Sequence, residues 1–292
     1  MTFRNDADIS GHSASTGGGG RGGMIAGGGI GSLVLVGIFL LLGGNPADIG
    51  SILGSPQQQE QQPAQQLEGC NTGADANNRA ECRVAATQLS VDRIWSKVLP
   101  EQAGIEYRAP EHVVVFKDTT LSGCGMASAK TGPFYCPGDQ KAYFDVSFFD
   151  MLEKFGGKNA PLAQEYIVAH EYGHHIQNLE GTLGLSNYND PGQDSNAVKI
   201  ELQADCYAGI WAHHADDGAD ALIEPITDQQ VQDAMNTARA VGDDNIQKRS
   251  GGEVRPDLWT HGSSEQRMNA FLTGYREGTM KSCDTLGKKQ YR

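Results

Sequence analysis

Apolar residues fall into three regimes along the chain. Residues 24–43, MIAGGGIGSLVLVGIFLLLG, form a stretch without a single charge. Twenty helical residues reach about 30 Å, the thickness of a bilayer's hydrocarbon core, so the stretch predicts one transmembrane helix. A cleaved signal peptide would have a shorter apolar region, a basic start close by and a small-residue cleavage site. The long polar lead and the lack of a clear cleavage site favour an anchor. The flanks are the second regime. Residues 1–23 are polar and carry Gly17–Gly20 and Gly22–Gly23 near their end, which predicts a disordered tail. Residues 44–69 hold seven glutamines between Gln57 and Gln66, with Pro56 and Pro63, and predict a solvated linker.

The third regime, 70–288, has the periodicities of a folded domain. Val84, Val91, Ile94, Trp95 and Val98 share one stripe and predict a helix over 75–99, stopped by Pro100. HVVVFK at 112–117 predicts a strand. Glycines and prolines across 118–139 predict a loop or hairpin. Residues 140–149 predict a short strand through Phe144 and then a helix into Lys154. Pro161 suits a first helical turn, and Gly181 ends that helix just past Leu179. Further helices are predicted from Ser195 to His214, from Asp228 to Gln247 and from Ser263 to Tyr275. The fold class is α+β, mostly helical with a small sheet, preceded by one membrane span.

Composition adds direction. The net charge of −13 argues against a phosphate-backbone binder, so no nucleic acid is expected. Arg4 and Arg21 precede the apolar stretch and the next basic residue after it is Arg79. The positive-inside bias then places the N-terminus in the cytoplasm and the domain outside, as a single-pass protein. All six cysteines follow residue 69, which fits disulfides in an oxidising compartment. The equal gaps from Cys70 to Cys82 and from Cys124 to Cys136 suggest two local loops, leaving Cys206 with Cys283. Reduced thiols or thiolate zinc ligands are the other reading, which the lack of any C-x-x-C disfavours.

The chemistry centres on His170-Glu171-Tyr172-Gly173-His174, an H-E-x-x-H. Helical residues four apart share a face, so His170 and His174 can aim two imidazoles at one zinc ion. Glu171 stands beside them as a base for water. The third ligand must come from elsewhere. On the next helix Glu201 and Asp205 are four apart. Antiparallel packing would let Glu201 complete a His2Glu site while Asp205 fixes a histidine tautomer. Gly173 costs its helix about 1 kcal/mol relative to alanine. It is expected to let the two helices approach closely, with Ala204, Ala208 and Gly209 opposite. His261 opens the last helix as a transition-state donor or as part of a cap. His175, His213 and His214 are expected away from the metal, and His112 at a strand end is structural.

The span and the segments HEYGHHIQ, ELQADCYAG and THGSSEQR resemble a bacterial membrane-anchored family of neutral zinc metallopeptidases. The resemblance covers roughly residues 70–288. It implies a zincin-type fold with one catalytic zinc held by His170, His174 and Glu201, Glu171 as general base, and Asp205 behind the ligands. It also implies a protein or peptide substrate and a place in the cell envelope. By analogy with zincins, an extended peptide would add to an edge strand near Ala142–Phe144. Two other functions fit the same residues: a non-catalytic zinc-binding envelope scaffold, and a zinc hydrolase of another amide bond. Nothing in the sequence sets the oligomeric state.

Overall fold

The computed structural model describes residues 2–17, 65–117, 119–128, 131–288 and 291–292. The strands are β1 (Ala14–Thr16), β2 (Gln65–Gln66), β3 (Val113–Phe116), β4 (Thr119–Ser122), β5 (Gly125–Ser128), β6 (Phe134–Cys136) and β7 (Lys141–Asp145). The helices are α1 (Gly73–Asn78), α2 (Ala80–Ala103), α3 (Phe148–Met151), α4 (Pro161–Glu180), α5 (Asn196–His214), α6 (Asp228–Ala240), α7 (Asp243–Arg249) and α8 (Ser264–Glu277). The fold is α+β and mostly helical. One sheet has the order β2-β1-β3-β7-β6, and β4 and β5 form a separate hairpin.

The long helices follow local signals. Ser195 and Ser263 cap α5 and α8 by accepting from the backbone N–H three residues on, and Gly181 closes α4 in the left-handed region. Pro100 does not stop α2, which continues to Ala103 and ends at Gly104. The missing proline N–H would have served the Ser96 carbonyl, and Ser96 lies on the exposed side, where water can take that place. The helix expected over Asp228–Gln247 is two helices, broken between Ala240 and Asp243. A Cβ on Gly242 would lie 2.3 Å from the Ser264 backbone nitrogen, so the break marks a close passage of the α8 start.

Around α2, α4 and α5 the core buries Trp95, Trp211, Tyr172 and Tyr207, with Trp211 Nε1 donating to Ser90 Oγ at 3.0 Å. The three disulfides are Cys70–Cys82 and Cys124–Cys136, the pairs that equal gaps suggested, and Cys206–Cys283, the pair left over.

Two groups of expectations need correction. First, the start of the chain, residues 2–17, is part of the fold rather than a disordered tail. Alone it has too few apolar side chains for a core, but it lends Phe3, Ile9 and Ala14 to the core of the rest. Its last residues pair in the sheet, β1 lying parallel to β3 and antiparallel to β2. The linker likewise ends early, since Gln65 and Gln66 form β2 and Leu67 is buried. The C-terminus also joins the domain beyond 288, with the Arg292 N–H donating to the Gln102 carbonyl at 2.8 Å. Second, Ala142–Phe144 is not an edge: β7 pairs with β3 on one side and β6 on the other, so β6 is the edge strand. Residues 24–43, the expected span, lie outside the described residues. Among the described residues no helix is long and apolar enough to cross a membrane.

Between α2 and α4 lies a buried carboxylate, Glu165, which accepts from the Thr2 hydroxyl and faces Arg83 at 4.0 Å. Burial raises its pKa to about 7, although Thr2 and Arg83 pull the other way. The folded state therefore resists its ionisation. The stability it confers is full below the ordinary value of 4.5 and is lost as pH rises toward about 7. Glu165→Gln should match the wild-type melting temperature near pH 5 and exceed it near pH 8. A constant difference across that range, read by thermal melts, would refute this account.

Candidate metal centre

Two helices meet where the ligands lie. A Cβ on Gly173 would stand 2.8 Å from Ala204 Cα and 2.9 Å from the Ala204 carbonyl oxygen. Any larger residue at 173 must therefore push α5 away from α4. The same device recurs behind α5. A Cβ on Gly274 would lie 1.9 Å from the Cys206 carbonyl oxygen, and one on Gly209 would lie 2.1 Å from the Phe271 carbonyl oxygen. These glycines pull α8 against α5, as Gly173 pulls α5 against α4.

At the α4–α5 contact His170, His174 and Glu201 converge, with one ligand atom from each within 4.8 Å of the others. His170 Nε2 is 3.3 Å from Glu201 Oε2, and His174 Nε2 is 3.6 Å from Oε1. Ligands held about 2.0–2.1 Å from a tetrahedral zinc stand about 3.3 Å apart, so the set needs little movement to take the ion. The outer nitrogens are held as well. His170 Nδ1 faces Asp205 Oδ1 at 2.8 Å and His174 Nδ1 faces Gln177 Oε1 at 2.9 Å. Both partners accept, which leaves each Nε2 as a lone pair for metal. Two imidazoles and a carboxylate, outer nitrogens fixed, form a donor set that suits zinc.

Behind His170 stands a network that the sequence reading caught only at Asp205. Arg267 of α8 donates twice to this carboxylate, Nε at 2.8 Å and Nη2 at 2.9 Å. The Tyr166 hydroxyl, one helical turn before His170, donates to Oδ1 at 2.5 Å. Burial works against the Asp205 charge, but Arg267 and His170 outweigh it and bring its pKa down to about 2. Burial likewise opposes a charge on His170, yet Asp205 raises its pKa to about 10. In the metal-free site a proton therefore competes for this histidine. Arg267 sits inside the quoted segment THGSSEQR and Tyr166 four residues before His170. That i, i+4 spacing could have flagged the tyrosine, whereas only the fold brings Arg267 near.

Glu171 and His261 face the same space. Burial raises the pKa of Glu171, the two ligand histidines pull it down, and the Tyr135 backbone N–H reaches it. His261 is buried and held from behind by Asp243. That carboxylate accepts from the backbone N–H groups of Thr260, His261 and Gly262, and lies 3.3 Å from His261 Nδ1. Among the described residues its Nε2 has no hydrogen-bond partner. Burial lowers the His261 pKa, but Glu201 and Asp243 raise it by more. The break before α7 is what brings Asp243 under His261. Ser263, not His261, caps α8, so the cap and the imidazole are separate features. Tyr188, missed in the sequence, donates from its hydroxyl to Glu201 Oε1 at 3.0 Å.

These groups open onto a cavity of about 140 Å³ whose other walls include Phe134, Phe148, Phe155, Ile167, Val241 and Ile246. The remaining histidines stay outside it. His175 binds the Arg108 carbonyl and the Tyr135 hydroxyl, and His213 binds the Tyr275 carbonyl. His112 is exposed and outside the cluster.

The family described as "Putative neutral zinc metallopeptidase" matches residues 2–286. The chain is 44% identical over 253 residues to "Uncharacterized protein Rv2575" of Mycobacterium tuberculosis, covering 85% of this chain and 84% of that one. It is 34% identical over 268 residues to "Uncharacterized protein YpfJ" of Escherichia coli K12, covering 89% and 88%. No solved structure matches.

Two substitutions test the geometry. Gly173→Val should lower zinc content while far-UV circular dichroism still reports a folded domain; full zinc occupancy in that variant would count against the close-approach account. Asp205→Asn should weaken zinc binding about 10–100-fold in a chelator competition, since it loosens the hold on His170.

Proposed function

The chain belongs to this zinc metallopeptidase family, and from that premise we propose that it hydrolyses peptide bonds with one zinc ion held by His170, His174 and Glu201. The observation that carries the reading is a carboxylate, Glu171, beside two convergent imidazoles at the wall of an open cavity. A structural zinc site is closed by four protein ligands, whereas a catalytic one keeps a position for water. Here three ligands converge and the cavity lies on the remaining side, which favours a catalytic site over a scaffold.

Zinc, when bound, supplies Lewis acidity that lowers the pKa of water and polarises a carbonyl. The chain's own groups do the rest. Glu171 takes the proton from the attacking water and passes it to the departing amine. Its buried position raises its affinity for that proton between the two events. His261, braced by Asp243, presents Nε2 to the oxygen that gains charge. Asp205 and Arg267 fix the orientation of His170. Strand β6 has a free edge among the described residues, and Phe134 and Tyr135 on it line the cavity. An extended peptide would pair there. The walls are mainly aromatic and aliphatic, so a large apolar side chain next to the scissile bond is the preferred substrate feature. The three disulfides support work in an oxidising, extracytoplasmic compartment.

A peptide-library digest with the zinc-loaded full chain tests the reading. Wild type should cut before or after large apolar residues, and Glu171→Gln should lose about 10²–10⁴-fold in kcat with zinc retained. Equal turnover by both would remove Glu171 from the mechanism, and no turnover by wild type would favour the scaffold. His261→Ala should cost about 10²–10³ in kcat with KM and zinc content little changed; a change confined to KM would reassign that residue to substrate binding.

A further inference from the structure

The outer nitrogen of His174 is one end of a longer chain of hydrogen bonds. His174 Nδ1 meets Gln177 Oε1 at 2.9 Å. Gln177 Nε2 donates to Gln203 Oε1 at 3.1 Å. Gln203 Nε2 donates to the Tyr291 hydroxyl at 3.1 Å, which lies 2.8 Å from the Tyr207 hydroxyl. Tyr207 donates to the Glu180 carboxylate at 2.9 Å. The path leaves α4 at Gln177, crosses to α5, and runs out to the C-terminal segment. It returns through Tyr207 to Glu180, the last residue of α4. Gln177 and Gln203 are both fully buried, away from bulk water. The C-terminal segment is fastened by the Cys206–Cys283 disulfide and by the Arg292 N–H on the Gln102 carbonyl.

The direction of the chain follows from the chemistry of its groups. A carboxylate only accepts, so Tyr207 gives its one proton to Glu180 and accepts that of Tyr291. Burial, and Glu180 after it, push the Tyr207 pKa well above its usual value, so that proton stays in place. Two backbone carbonyls, which also only accept, orient the amides independently. Gln177 Nε2 donates to the Ile200 carbonyl at 2.7 Å, and Gln203 Nε2 to the Cys283 carbonyl at 3.2 Å. Turning either amide over would set its oxygen against a carbonyl oxygen. Every donor therefore points away from His174. The imidazole proton belongs on Nδ1, and the Nε2 lone pair is left on the Glu201 side. A reversed chain would put the proton on Nε2 and close that nitrogen to a metal. We propose that Glu180 sets the tautomer of the second zinc ligand from the far end of this one-way chain, with Gln177, Gln203, Tyr291 and Tyr207 as positioning residues. The inference rests on the reading of His174 as a zinc ligand. His170 has its carboxylate, Asp205, in contact, whereas His174 has one at a distance. Aligned hydrogen bonds in a low-dielectric interior polarise one another, so the far end is felt at the near one.

Long-range proton–nitrogen spectra of the zinc-free full chain, with labelled histidine, show which ring nitrogen of His174 carries the proton. Wild type should carry it on Nδ1. Tyr291→Phe removes one link and keeps the ring, and Glu180→Ala removes the accepting end. Each should give a mixture of the two tautomers. Glu180→Gln, whose amide oxygen still accepts, should stay closer to wild type. Zinc affinity in a chelator competition should fall in Tyr291→Phe and in Glu180→Ala. The fall should be smaller than the about 10–100-fold expected when Gln177→Met removes the direct partner. The Glu180→Ala/Tyr291→Phe double variant should lose no more than the worse single one, because both cuts break the same chain. A proton that stays on Nδ1 in both single variants, or losses that add, would overturn the inference. Ring nitrogens of His174 that do not respond when zinc is added to wild type would overturn it by a separate route, through the ligand assignment.

Discussion

The contact between α4 and α5 at Gly173 and Ala204 is the constraint on which the centre depends. Side chains of histidine and glutamate reach only a few ångströms, so donors on two helices share one ion only if the backbones nearly touch. Gly173 supplies that approach from inside the H-E-x-x-H itself. The cost of glycine in a helix interior is about 1 kcal/mol, small beside the loss of a metal site. The next layer repeats the solution, with Gly209 and Gly274 seating α8 on α5. Three helices thus stack at close range, and the metal ligands, Asp205 and Arg267 sit in successive layers of the stack.

That stacking explains why a buried guanidinium belongs here. A carboxylate facing only a neutral histidine in the interior would be costly to keep charged. With Arg267 donating twice, Asp205 remains an anion and holds a proton on His170 Nδ1. The charge that the interior tolerates is therefore spread over a chain from Arg267 to Asp205 to His170. His261 follows the same plan with Asp243 on the opposite wall. His170 and His261 are each steered by a carboxylate from another element, and each of those carboxylates is itself tied by several donors.

Much of this was legible in the sequence because its determinants are local. His170 and His174 sit one turn apart, Glu201 and Asp205 do the same, and two disulfides close short loops. The elements that were misread depend on distant partners. Gly242 looks like a tolerated helical glycine until Ser264 is seen against it. Strand β7 reads as an edge until β6 folds back beside it. Residues 2–17 read as disordered because Phe3, Ile9 and Ala14 find their neighbours only in the body of the domain. Arg267 was written in a recognised segment, yet nothing near it in sequence names Asp205 as its partner.

The docking of Thr2 and Phe3 beside Ile223 and Glu224 has a consequence for biogenesis. Thr2 and Phe3 must wait for more than two hundred later residues before these partners exist. Contacts this remote along the chain slow folding, because a very long loop must close before they contribute. Glu165, on the helix that carries His170 and His174, is a partner of the same Thr2. A nascent molecule would therefore carry this helix incompletely covered at least until residues 222–224 are made. The cover of this helix is in that sense a long-range event, completed only when residues 2–4 meet residues 222–224.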